Sequence, residues 1–90
     1  LVILQRTILD RAAEYVKPRG TLIFSTCTIA KEENEENMLW FLNNHPFRLE
    51  SLDAYLPEEL HSETTALGYL QFLPGIHKTD GFFIAKFRRK

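Results

Sequence analysis

Cys27 is the chain's one cysteine, and it sits in Ser25-Thr26-Cys27-Thr28. The preceding segment, Thr21 to Thr26, is short and rich in β-forming residues, and a helix-forming stretch begins at Lys31. A thiol between a strand's carboxyl end and a helix's amino end lies where open α/β sheets bind ligands. Backbone N–H groups at such a place stabilise the thiolate, which is the nucleophile. Glu32, Glu33, Glu35 and Glu36 oppose that if they are close. Position alone leaves other readings open. A lone free cysteine more often ends as a small buried hydrophobe. A redox-responsive thiol is a third reading, and it requires exposure.

The second signal is His77-Lys78-Thr79-Asp80-Gly81-Phe82-Phe83-Ile84-Ala85-Lys86. Thr-Asp-Gly is turn chemistry, with the glycine free to take positive φ. His77 could serve as a ligand or base, but a loop histidine is more often solvated or capping a turn. His45 and His61 carry no functional reading. Trp40, beside Phe41, reads as core or rim rather than as a stacking platform. Cysteines and histidines at metal-ligand spacing, a glycine-rich phosphate loop and a serine nucleophile elbow are all absent from the sequence.

These residues need elements to hold them. Residues 1–16 read as a helix with Leu1, Leu4, Ile8, Leu9, Ala12, Ala13 and Val16 on one face and Arg6, Asp10 and Glu14 on the other. Lys17-Pro18-Arg19-Gly20 ends it, with glycine taking the turn. Thr21 to Thr26 reads as a largely buried strand. A second helix spans Lys31 to Asn44, its first turns acidic in keeping with the helix dipole and its buried stripe Met38, Leu39, Phe41 and Leu42. Phe47 to Leu52 reads as a short strand and residues 53–68 as turn-like, anchored by Tyr55, Leu56 and Leu60. Strands at Tyr69 to Leu73 and Phe82 to Arg88, joined by a loop, complete an α/β order.

Ninety residues allow one small domain, and this is thin for an α/β domain. The composition, 44% hydrophobic, is globular. No apolar run approaches the roughly 20 residues of a membrane span, so no membrane partner is expected, and no stretch reads as a signal peptide. A single cysteine suits a reducing compartment, and a cytoplasmic location is expected. The net charge of −1 gives no sign of nucleic acid, but it is unevenly spread. Residues 31–63 hold nine acids against two bases, whereas residues 64–90 hold five bases against one acid. The basic end could meet phosphates; solubilising charge at a frayed terminus is the plainer expectation.

Taken together, the segments resemble the carboxyl-terminal part of the Sun/nucleolar-protein family of RNA (cytosine-5) methyltransferases, with the bacterial Sun-type ribosomal RNA enzymes as the nearest branch. The strings are Leu4-Gln5 with Ile8-Leu9, Val16-Lys17-Pro18-Arg19-Gly20-Thr21-Leu22-Ile23, Ser25-Thr26-Cys27-Thr28-Ile29, Glu32-Glu33-Asn34-Glu35, His45-Pro46-Phe47 and Thr79-Asp80-Gly81-Phe82-Phe83-Ile84-Ala85-Lys86. Arg19 stands where the family more often has glycine. The resemblance implies a Rossmann-like S-adenosylmethionine-dependent methyltransferase sheet with a final antiparallel strand. Thr21 to Thr26 would be its fifth strand, Phe47 to Leu52 about its sixth, and Phe82 to Arg88 its seventh. It also implies that Cys27, with Ser25, Thr26 and Thr28 as motif neighbours, is the nucleophile that attacks carbon 6 of a cytosine.

The family's cofactor loop, acidic ribose-binding residue and Asp-Ala-Pro-Cys segment do not occur between Leu1 and Lys90. The chain is therefore expected to be part of a catalytic domain, inactive alone and without cofactor-binding residues. The first helix opens inside its apolar pattern with no cap, which fits the same expectation. The chain stops directly after its last strand, which favours 16S ribosomal RNA over transfer RNA as the partner. An unpaired edge on the fifth strand is expected, with self-association through it. The competing expectation is a non-catalytic α/β interaction module.

Overall fold

The computed structural model describes residues 2–72 and 81–90. Leu1 and residues 73–80, among them His77, Thr79 and Asp80, lie outside the described residues. Helix α1 (Val2–Tyr15) leads to strand β1 (Thr21–Thr26), then a 3₁₀ turn (Lys31–Glu33), helix α2 (Glu35–Asn44) and strand β2 (Phe47–Leu49). Two further 3₁₀ turns (Asp53–Tyr55 and Glu58–Leu60), a short helix α3 (Glu63–Leu67) and strands β3 (Tyr69–Phe72) and β4 (Phe82–Arg89) follow.

Every strand pairs with β4, and every pairing is antiparallel. β1 lies along one edge, from Thr21 opposite Arg88 to Thr26 opposite Phe83. On the other edge β2 pairs at Phe87–Arg89 and β3 at Phe82–Ala85. Lys86 joins the two: its N–H donates to the Gly68 carbonyl and its carbonyl accepts from the Glu50 N–H. Gly68 has φ 130, and a Cβ there would lie 2.6 Å from the Glu50 carbonyl oxygen, so only glycine fits. Among the described residues, the outer edge of β1 meets no strand.

Strand alternation divides the sheet into two faces. Phe83, Ala85 and Phe87 face α1 and α2 and form the core with Leu9, Ala13, Met38, Phe41 and Phe47. Phe41 is its centre, with ring centroids 4.6 Å from Phe87 and 4.9 Å from Phe47. Ile84 and Lys86 face the other way. The Lys86 ammonium lies under the Tyr55 ring, 4.2 Å from its centroid, and donates to the Tyr55 hydroxyl. Tyr55 thus anchors its loop while staying exposed.

Several expectations change. β1 alternates between exposed and half-buried rather than being largely buried, because Leu22 and Phe24 pack on the core while Thr21, Ile23 and Ser25 face away from it. The 31–44 helix breaks at Asn34, whose φ −112 and ψ −92 are not helical. β2 stops at Leu49, and the turn-like 53–68 region contains α3, capped by Ser62 and Thr65. In α1 only Leu9 and Ala13 are buried, while Leu4 and Ile8 are exposed. The supposedly outer Arg6 and Asp10 turn towards α2: Arg6 Nε donates to Asn37 Oδ1 at 2.8 Å, and Asp10 meets His45 Nε2 at 2.7 Å. Arg19, not Gly20, takes the positive φ (67) after α1.

The basic end is not frayed. Arg88 makes a bidentate pair with Glu50, at 2.5 and 2.7 Å, and Lys86 Nζ lies 3.1 Å from the same carboxylate. Arg89 donates to the Ala13 and Val16 carbonyls, which closes the carboxyl end of α1. The Arg88 hydrogen bonds, then that of Lys86, lower the Glu50 pKa from the usual 4.5 to about 2. A carboxyl depressed in the folded state stabilises the fold above its unfolded pKa, and that contribution fades as the pH falls towards the folded one. Glu50→Gln should therefore melt lower than the parent at pH 7. The gap should narrow between pH 4.5 and pH 2, read by thermal unfolding across that range.

Candidate active site

Cys27 follows β1 directly and is exposed. The buried-hydrophobe reading therefore fails. The strand end and the α2 entry hold the thiol at the surface by fixing the residues on either side of it. Thr28 Oγ1 accepts from the Ala30 N–H at 3.0 Å, which tightens the turn. Thr26, still paired opposite Phe83, turns its hydroxyl inwards to donate to Asn34 Oδ1.

Asn34 is 1% exposed. Its Nδ2 donates to the Thr28 carbonyl and to Gln71 Oε1, both at 2.8 Å. Gln71 in turn donates to the Phe72 and Phe82 carbonyls, at 3.0 and 2.9 Å. One carboxamide therefore ties both neighbours of Cys27 to β3, and through Gln71 to the start of β4. Gly81 closes the same corner, since a Cβ there would overlap Ile29 Cγ2. Its need for glycine is this close approach, not the positive φ expected from the Thr-Asp-Gly turn; the described positive-φ glycine is Gly68.

The network continues one turn into α2. Asn37, fully buried, accepts from Arg6 Nε and donates to Gln5 Oε1, both at 2.8 Å. The Arg6 guanidinium also lies 5.0 Å from the Trp40 ring centroid, which makes Trp40 a rim residue packed on the core. The structure thus brings Thr26, Cys27 and Thr28 together with Asn34 and Gln71. Ser25 lies apart, exposed in a groove of about 300 Å³ between α1 and β1, lined also by Gln5, Ile8, Ile23 and Thr26. A larger concavity of about 500 Å³ lies at the opposite end of the sheet, lined by Arg19, Arg48, Glu50, Arg88, Arg89 and Lys90. Arg88 and Arg89 there are committed to the fold. His45 stacks on Phe41 and His61 bonds the Asp53 and Leu56 carbonyls, both far in role from the thiol. Among the described residues no cluster of His, Cys, Asp and Glu could hold a metal ion. No described helix is long and apolar enough to cross a membrane.

Sequence reading missed Asn34 and Gln71 as site residues. The one available signal was an asparagine set among four glutamates at a helix start, a residue type favoured at caps because its side chain bonds nearby backbone.

The family profile described as 16S rRNA methyltransferase RsmB/F matches residues 1–88. The ribosomal RNA small subunit methyltransferase F of Cronobacter sakazakii is 39% identical over 87 residues, covering 94% of this chain and 18% of that protein. The Klebsiella pneumoniae protein of the same name is 37% identical over 86 residues, with the same two coverages. The chain thus spans under a fifth of the length of these relatives. Among solved structures, a methyltransferase homolog from Pyrococcus horikoshii superposes with a TM-score of 0.81 at 35% identity, covering 99% of this chain and 31% of that one. NSun6 from Pyrococcus horikoshii, solved with SFG, gives a TM-score of 0.80 at 31% identity, covering 98% of this chain and 22% of that one.

Exposure of Cys27 has a direct consequence. The folded chain should give one equivalent of reactive thiol with Ellman's reagent, since its only cysteine is exposed. A thiol that reacts only after denaturation would contradict the exposed placement.

Proposed function

Because the chain belongs to the 16S rRNA methyltransferase RsmB/F family, we propose that residues 1–90 are the carboxyl-terminal part of the catalytic domain of an RNA (cytosine-5) methyltransferase. Its substrate in this reading is 16S ribosomal RNA, and its nucleophile is Cys27. The observation that carries the reading is an exposed thiol at the carboxyl end of β1, on the side of the sheet where α/β enzymes bind substrates. A cytoplasmic location fits that substrate.

The chemistry follows from the cytosine ring. Carbon 5 is a poor nucleophile by itself. Bond formation between Cys27 Sγ and carbon 6 moves the pair of the 5,6 double bond towards carbon 5, which can then take a methyl group; loss of the carbon 5 proton afterwards expels the Cys27 thiolate and restores the double bond. Covalent catalysis divides one difficult step into easier ones. The chain's task is to present Sγ above carbon 6 on a rigid turn, so that attack has little ordering left to do.

S-adenosylmethionine is the methyl donor that the family implies, and NSun6 from Pyrococcus horikoshii was solved with SFG, an analogue of it. The residues here do not fit that group. The groove beside β1 is lined by aliphatic and phenyl groups with Gln5, Ser25 and Thr26, and it lacks a carboxylate to bind a ribose. In this reading the cofactor-binding half belongs to the length of the relatives that the chain does not cover.

Two outcomes follow. In the complete methyltransferase, Cys27→Ala should lower RNA methylation at least about a thousand-fold, as loss of a nucleophile does, and should abolish covalent capture of RNA containing 5-fluorocytosine. Full activity in that variant would remove the nucleophile assignment. The 90-residue chain alone should show no micromolar affinity for S-adenosylmethionine by calorimetry; heats that fit such affinity would defeat the division of the domain.

A further inference from the structure

Asn34 does more than fill a gap in the core. We infer that Asn34 is the positioning residue for Cys27: its carboxamide holds the Thr26 hydroxyl and the Thr28 carbonyl, on either side of the cysteine, against Gln71 of β3. This rests on the reading of Cys27 as the nucleophile.

The geometry accounts for every polar atom of the amide. Oδ1 accepts one hydrogen bond, and the two Nδ2 hydrogens go to two different oxygens. At 1% exposure no solvent competes for them. The partners come from three places in the chain: the last residue of β1, the turn after it, and β3. None is on the helix that Asn34 introduces. A cap would satisfy its own helix's first N–H groups, yet the Asn34 side chain makes no such bond. Its bonds go instead to the Thr26 hydroxyl and the Thr28 carbonyl, in the residues on either side of Cys27. Exposed turns ordinarily sample several conformations; this one is fixed from below while its thiol stays in solvent.

The Thr26 hydroxyl is the sensitive half of the clamp. Valine has the shape of threonine but cannot donate, and it would leave Asn34 Oδ1 buried without a partner. Serine keeps the donor. Asn34→Asp keeps the shape but presents an oxygen to the Thr28 carbonyl and Gln71 Oε1.

The test uses the complete methyltransferase, with turnover and RNA affinity measured separately. Asn34→Asp and Thr26→Val should each lower kcat, and the rate of capture on 5-fluorocytosine RNA, by about tenfold or more, with KM for RNA within about twofold of the parent. Thr26→Ser should restore most of the rate. If Asn34→Asp fails to fold, the Thr26 pair decides alone. The clamp is overturned if Thr26→Val turns over like the parent, if Thr26→Ser is as impaired as Thr26→Val, or if KM rises while kcat holds. Cys27→Ala run alongside separates the two ideas. Inactive Cys27→Ala with fully active Thr26→Val refutes the clamp alone; active Cys27→Ala refutes the nucleophile reading and the clamp with it.

Discussion

A primary amide buried without partners costs roughly 2–7 kcal/mol, so the buried carboxamide of Asn34 stabilises the fold only where all its partners are in place. That requirement shapes the whole upper end of the molecule. The chain leaves helical geometry at Asn34 so that the side chain can reach under the Cys27 turn. Gln71 must stand on β3 to receive it, and its own amide then takes the Phe82 carbonyl. Asn37, three residues on, repeats the arrangement towards α1. Two asparagines thus join α1, α2, the cysteine turn and β3, and through Gln71 β4, by directional bonds. Apolar packing could slide by an ångström where these bonds cannot.

Below this polar layer, β4 is the axis. Its alternate residues supply Phe83, Ala85 and Phe87 to the core and Ile84 and Lys86 to the opposite face. Its edges carry every other strand. Lys86 spans the junction between β2 and β3 with its backbone while its side chain neutralises Glu50. A charged residue at 4% exposure is tolerable because its ammonium has the Glu50 carboxylate and the Tyr55 hydroxyl as partners.

What the sequence revealed depended on how local the cause was. β1 is bounded as its composition indicates, Thr21 to Thr26, because Gly20 and the turn after Thr26 punctuate a β-forming run. The last strand and both main helices are legible for the same reason. The burial of β1 was not, since it depends on what covers each face of the sheet. The rotation of α1 was also hidden. Arg6 and Asp10 look like a solvent face until their partners Asn37 and His45, 31 and 35 positions away, are known. The Cys27 motif could be seen in the sequence; its support could not, because Asn34 and Gln71 lie 37 positions apart and each alone looks like a polar residue facing solvent. Arg19 shows a local rule yielding: a left-handed residue costs about 1–2 kcal/mol when it is not glycine, and here Arg19 takes it while its carbonyl accepts from Arg88.

The two ends of the sheet divide the work electrostatically. In the Glu50, Lys86 and Arg88 cluster, Arg88 lies opposite Thr21 and Lys86 opposite Ile23, while Cys27 follows the far end of β1. From Ile23 to Cys27 is four steps of about 3.3 Å, so the near side of the cluster lies roughly 13 Å along the sheet from the thiol. That exceeds the Debye length of about 8 Å at physiological salt, so solvent-exposed charges at one end act only weakly at the other. The carboxylate cluster loses its hold only in acid, towards pH 2, whereas a thiol becomes nucleophilic as the pH rises. The groups that make the fold acid-sensitive are therefore separate from the group that would do chemistry. The contacts that bear on Cys27 are uncharged hydrogen bonds between amides, a hydroxyl and carbonyls. None of them titrates in the range where a thiol does. A turn held in that way keeps its geometry across that range, so the presentation of Sγ does not change with pH.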